Sequence, residues 1–326
     1  MTTAAPRSTP PKRPAKAGAP RSLAARLREP FVFLWQCLFK FFGDECSTMA
    51  AALSFYTFFS LPALLSLILI VVGAAMDPAD VQRALLTQAG NLIGRAGADQ
   101  IRAILEHARR PDINKPLAAV LSIAAVLLGA SGAFGQLQSA LNKIWGVKPD
   151  PHRSQIRDFL AKRIFSFGVV LGVAFLLLVS LALSAVLSAL GQRLTRGLGV
   201  PEALLQFTDW LISFVALSAV FGAMFRLLPD ARIAWRDVGV GAVASAVLFV
   251  VGKTVIGLYL GGTDPGSAYG AAGSLAVVLI WVYYTSMILL FGAEVTRVWA
   301  DRYGGGVKPE KGAVEVVETE HTVQKG

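Results

Sequence analysis

Two ionisable residues stand where ionisable residues are rare. Glu294 closes a run of about 20 uncharged residues, Ser274 to Ala293, and Lys253 sits inside a second apolar run. A carboxyl at such a position can bind a proton or a cation, and an ammonium can meet an anion or a lipid headgroup. Tyr283 precedes Glu294 by eleven residues, about three helical turns, so the two share a helix face. Trp281, Tyr284 and Thr285 add further polar atoms to the same run. Lipid offers such atoms no partner, so they are expected to face other helices. Ser54, Thr57, Pro62 and Tyr269 complete the candidate polar path. Pro62 lacks an N–H and leaves the Phe58 carbonyl free beside Ser54 and Thr57. That arrangement reads either as a cavity wall or as a packing kink.

The residues that enzymes need are scarce. The chain has three histidines, His107, His152 and His321, on different loops and a tail. No H-E-x-x-H, G-x-S-x-G or Walker sequence occurs, so hydrolytic metal chemistry, a nucleophile elbow and ATP binding find no support. No cofactor or metal is expected, and the chain reads as a non-enzyme. Cys37 and Cys46 are the two cysteines. Nine residues apart on a helix, they point to opposite faces and suggest no disulfide.

The elements that position these residues are apolar runs: roughly 51–76, 117–137, 165–190, 210–225, 238–260 and 274–297. Each approaches the roughly 20 residues that cross a hydrocarbon core. Only 16% of residues are charged, against about 25% in soluble domains. The fold expected is therefore all-α, a polytopic membrane protein with six transmembrane helices. The net charge of +10 follows topology. With the N-terminus cytoplasmic, the inner segments hold 22 Lys and Arg against 8 in the outer loops. That is the positive-inside pattern, with both termini cytoplasmic. The basic excess then meets anionic headgroups rather than nucleic acid.

Residues 1–30, rich in Pro, Ala and basic residues, read as a disordered tail. Residues 31–303 form the transmembrane domain, and 304–326 a flexible cytoplasmic tail. From Phe31 to Ser47 a polar stripe recurs at Gln36, Lys40, Asp44 and Ser47. This amphipathic pre-helix is either interfacial or an extension of the first span. In the first outer loop Asp77-Pro78 caps a helical pattern that Gly94 and Gly97 interrupt. Two short amphipathic helices are expected there. Glycines near the end of the second run permit a tight helix contact or an unwound segment. Gly241, Ser245 and Gly252 present a small-residue face for close packing. Arg226, Arg236 and Asp237 are candidate cytoplasmic ion-pair residues, and a buried Glu294 would want one of those arginines.

Several patterns in order resemble the YihY/BrkB family of membrane proteins, formerly mislabelled ribonuclease BN. They are Ala51-Ala-Leu-Ser-Phe-Tyr56-Thr-Phe-Phe-Ser-Leu-Pro62, Asn142-Lys-Ile-Trp145 and Phe225-Arg-Leu-Leu-Pro-Asp230 with Trp235-Arg-Asp-Val-Gly239. Tyr269-Gly-Ala-Ala-Gly-Ser274, Trp281-Val-Tyr-Tyr284 and Phe291-Gly-Ala-Glu-Val-Thr296 complete the set. The resemblance covers about residues 31–303. It implies a six-helix protein of the bacterial inner membrane, with transport of ions or of lipid or envelope precursors as the usual suggestion. The expectation is a transporter of unknown substrate, possible as a homo-oligomer; the alternative is a non-transporting envelope scaffold or assembly factor.

Overall fold

The computed structural model describes residues 23–73, 77–108, 132–150, 202–263, 272–310 and 312–316. In chain order these form helices α1 (Leu23–Gly43), α2 (Cys46–Gly73) and α3 (Pro78–Ala108). Helical residues 132–145 are α4, followed by strand β1 (Val147–Pro149), helix α5 (Glu202–Leu227) and strand β2 (Ala231–Arg232). Helices α6 (Trp235–Thr263) and α7 (Gly273–Tyr303) come next, then strands β3 (Lys308–Pro309) and β4 (Ala313–Glu315).

Among the described residues four helices are long and apolar enough to cross a membrane: Cys46–Ser66, Gln206–Leu227, Trp235–Ile256 and Gly273–Tyr303. They correspond to the first, fourth, fifth and sixth apolar runs. The third run, and the second apart from residues 132–137, lie outside the described residues.

Among the described residues helix α7 is the centre of the bundle, packed against α1, α2, α3 and α6. The small-residue face of α6 explains how α6 comes so close. A Cβ on Gly241 would collide with Thr296 Oγ1 and the Gly292 carbonyl, and one on Gly292 would collide with Ser245 Oγ. Further along, the Tyr284 hydroxyl occupies the space a Cβ on Gly252 would need. Small residues let two backbones approach where lipid supplies no hydrophobic drive for association. The described part of the glycine-rich second run is likewise a helix contact, with Gly132 against Tyr56 and Ser60 of α2.

Three expectations need correction. The first outer loop holds one helix of 31 residues rather than two short ones. Asp77 caps it as expected, its Oδ1 accepting from the Ala79 N–H at 2.8 Å. The helix continues through Gly94 and Gly97 because Ile101 and Leu105 are buried against α2, α6 and α7. That burial outweighs the roughly 1 kcal/mol each glycine costs a helix. Second, α1 begins at Leu23, inside the stretch read as disordered, and residues 1–22 lie outside the described residues. Third, the described part of the tail read as flexible contains two short strands, and residues 317–326 lie outside the described residues. β4 pairs antiparallel with β1, and β3 with β2. The segment after α7 thereby ties down the connections that follow α4 and α5.

The motif residues of that face lock together. Asn142 Nδ2 donates to Asp230 Oδ2 at 3.0 Å, and the Asp230 N–H donates to Asn142 Oδ1 at 2.8 Å. Gln138 Nε2 donates to Asp230 Oδ1 at 3.3 Å. Trp145 packs edge-on against Phe225, with ring centroids 6.3 Å apart.

Candidate functional site around Glu294

Chain direction changes between α1 and α2 at Asp44-Glu45, where Glu45 has φ of 57°. A non-glycine residue in the left-handed region marks a forced turn rather than a continuing helix. The turn places Asp44 and Cys46 against α7, one turn apart along its axis. Asp44 meets Arg297 at 3.5 Å, and the Cys46 thiol donates to Glu294 Oε1 at 3.7 Å.

Glu294 is 0% exposed. Its Oε2 has no hydrogen-bond partner among the described residues. The Asp44 carboxyl comes close enough to interact with it, and Arg297 and Lys40 are the cations whose charge reaches it. Arg297 is occupied elsewhere. Its guanidinium donates to the Ile144 carbonyl, pairs with Asp44 and lies 3.9 Å from Asp301. Lys40 pairs with Asp301 at 3.4 Å. Glu294 thus sits beneath a lattice of ion pairs without owning one. A buried carboxyl in such a position is held by a soft thiol donor and faces a second carboxyl. This arrangement can take up a proton or a small cation. Among the described residues no cluster of three or more His, Cys, Asp or Glu suits a transition metal.

The second cysteine is also nearby. Cys37 is buried in α1 among Val295 and Val298 of α7. Burial, with the Glu294 carboxylate second, pushes its thiol up to about 11. The helix break is why Cys37 and Cys46 both reach the neighbourhood of one carboxyl instead of pointing to opposite faces.

The remaining sequence-derived candidates do not converge on this place. Ser54 is buried, but its hydroxyl donates to the Leu279 carbonyl at 2.8 Å and serves to join α2 to α7. Thr57 is half-buried and Pro62 is exposed on a helix that continues past it. Trp281 belongs to an apolar cluster with Leu65, Leu105 and Ile256 and contacts Phe249 at 6.1 Å between ring centroids. Tyr284 fills the hollow over Gly252. Tyr283 is partly buried and packs on the large apolar cluster that contains Cys46. Lys253 is exposed on α6 beside the exposed Val251 and Val255 and lines no interior path among the described residues. Tyr269 lies outside the described residues.

The cations near Glu294 are Arg297, on the same helix, and Lys40 of α1, rather than Arg226 or Arg236. Arg226 lines a cavity with Arg232 and Glu310, Arg236 is exposed, and the Asp237 carboxylate lies against Gly304. Sequence reasoning missed Asp44 and Cys46 as site residues because it carried the pre-helix straight into the first span. The signal available was Asp44-Glu45, two acidic residues immediately before an uncharged run.

The sequence profile of the Virulence factor BrkB family matches residues 38–315. Among curated proteins, a UPF0761 membrane protein of Vibrio vulnificus is 25% identical over 287 residues, covering 86% of each chain. One from Nitrosospira multiformis is 25% identical over 83% of this chain and 63% of its own length. One from Delftia acidovorans is 32% identical over 49% of this chain and 36% of its own. The chain therefore spans less than two thirds of the length of some of its relatives. No solved structure matches it. With its spanning helices and a match that takes in Cys46, Glu294 and the tail strands, the chain belongs to the Virulence factor BrkB family of membrane proteins.

Proposed function

We propose that this multi-pass protein is a transporter of the bacterial inner membrane, coupled to a proton or cation that binds at Glu294. The transmembrane domain crosses six times, the second and third apolar runs supplying the two further spans, and both termini are cytoplasmic. The observation that carries the reading is the 0% exposure of Glu294 together with an Oε2 that no described residue satisfies. A buried carboxyl without a bonded cation is costly as a mere helix anchor. Ionisable groups within spans generally serve binding or coupling. Asp44 and Cys46, at the break between two helices, supply the second carboxyl and the donor. The cargo is an ion or a lipid or envelope precursor, and the chain itself performs no covalent chemistry.

A second reading, a scaffold or assembly factor of the envelope, draws support from the outward position of Lys253 and the use of Ser54, Ser245 and Tyr284 in helix packing. Proteoliposomes loaded with a pH-sensitive dye decide between the two. Under an imposed pH gradient, the wild-type chain should acidify the lumen faster than empty vesicles, and Glu294→Gln should abolish the difference. Equal rates for wild type, Glu294→Gln and empty vesicles would leave the scaffold reading standing.

A further inference from the structure

A cavity of about 370 Å³ lies where α5 ends and β2 begins, lined by Arg226, Leu227, Ala231, Arg232 and Glu310. That volume is within the range of small-molecule sites, roughly 300–1,000 Å³. Two guanidiniums and a single carboxylate line it, so the lining carries a net positive charge. Glu310 is a loose counter-ion: its Oε1 is 3.8 Å from Arg232 Nε, beyond hydrogen-bonding distance.

The backbone beside the cavity is tied down, while the Glu310 side chain is half-exposed. The Glu310 N–H donates to the Asp230 carbonyl at 2.9 Å, and Asp230 is held in turn by Asn142. Strand β2 is paired to β3 by Ala231 with Pro309 and Arg232 with Lys308. The position is also informative. Arg226 is in the last turn of a candidate span that ends at Leu227, and the next span opens with Trp235, which is 60% exposed. Tryptophan at a span end marks the headgroup level, and basic residues there attract anionic headgroups.

We propose that this cavity binds a phosphate-bearing anion, with the Arg226 and Arg232 guanidiniums on its oxygens and the Glu310 carboxylate displaced by it. The planar fork of arginine suits phosphate oxygens better than any other side chain. A membrane phospholipid headgroup and a free phosphate present the same chemistry, and they differ in whether the acyl chains matter.

Binding of dioctanoyl phosphatidylglycerol to the full chain in neutral detergent tests this by calorimetry, with inorganic phosphate as the second probe. Arg226→Gln with Arg232→Gln should weaken binding at least tenfold. Glu310→Gln should strengthen it several-fold, because it removes the competing carboxylate and keeps the backbone tie to Asp230. Phosphatidylglycerol binding that phosphate does not displace identifies a headgroup site, and displacement by phosphate identifies a phosphate site; both support the proposal. Wild-type affinity in the arginine variant would overturn it. So would unchanged or weaker binding in Glu310→Gln, which decides the matter even if the arginine variant fails to fold.

Discussion

Replacing Asn142 tests whether the family motifs around residues 142 and 230 are structural clamps. Asn142 offers a donor to the Asp230 carboxylate at 3.0 Å and an acceptor to the Asp230 N–H at 2.8 Å, and both residues are buried. A bond to a charged acceptor contributes about 1.5–3 kcal/mol and a neutral one about 0.5–1.5. Asn142→Ala removes both, so a loss of about 2–4 kcal/mol is expected. Asn142→Asp is the sharper variant. It keeps the shape and the acceptor but turns the donor into an oxygen aimed at a carboxylate, so it should destabilise at least as much. Thermal unfolding in detergent, followed by tryptophan fluorescence, should show Tm lowered by roughly 5–10 °C in both variants. A double-mutant cycle of Asn142→Ala with Asp230→Ala should give a coupling of about 1 kcal/mol or more. An Asn142→Asp protein melting with the wild type, or a cycle with no coupling, would show that the pair holds nothing.

Two other measurements probe the packing and the site. Gly241→Ala drives a methyl into Thr296 and the backbone of Gly292. It should cost about 1–3 kcal/mol as overpacking, read as a lowered Tm, while the same change at Gly239, whose Cβ position is open, should cost far less. The Cys37 thiol, raised to about 11, should react with iodoacetamide at pH 8 roughly two orders of magnitude more slowly than an exposed thiol, since the thiolate is the nucleophile. Because the raised value keeps the proton on below about pH 11, the rate should still be climbing at pH 10. Glu294→Gln should accelerate it, and peptide mass spectrometry separates Cys37 from Cys46; a plateau near pH 9 would contradict the assignment.

Long-period features were legible in the sequence and local breaks were not. The spans at α2, α5, α6 and α7 follow from uninterrupted apolar length, because lipid forces every backbone group into helical pairing. The α6–α7 seam was legible too, since Gly241, Ser245 and Gly252 fall on one helical face and only close packing uses such a face. Glycine was misjudged where burial competed with propensity: Gly94 and Gly97 look like breakers, yet Ile101 and Leu105 are buried and hold α3 straight through them. The tail failed for a related reason. Strands of two or three residues have no periodicity to detect, and β3 and β4 exist because partners at Ala231 and Val147 meet them.

The site itself was half legible, and the missing half is instructive. Glu294 stood out because a lone carboxyl at the end of an uncharged run is costly wherever it points. Its partners could not be ranked by the same argument. Arg226 and Arg236 were reasonable choices by membrane depth, but depth is one coordinate and the position of a helix around the bundle is another. The polar stripe of α1 supplies that second coordinate. Lys40 and Asp44 reach Asp301 and Arg297, and Gln36 accepts from Arg302 at 3.4 Å. Those contacts turn Phe31, Trp35, Phe39 and Phe42 outward, where they are 63–74% exposed. A helix that points its polar face at the protein and its aromatic face away is inside out for a water-facing surface. It is correctly oriented for one that faces lipid. The polar stripe of the pre-helix is therefore the contact that carries Asp44 and Cys46 to Glu294. Any motion that shifts α1 along α7 would change what that carboxyl touches.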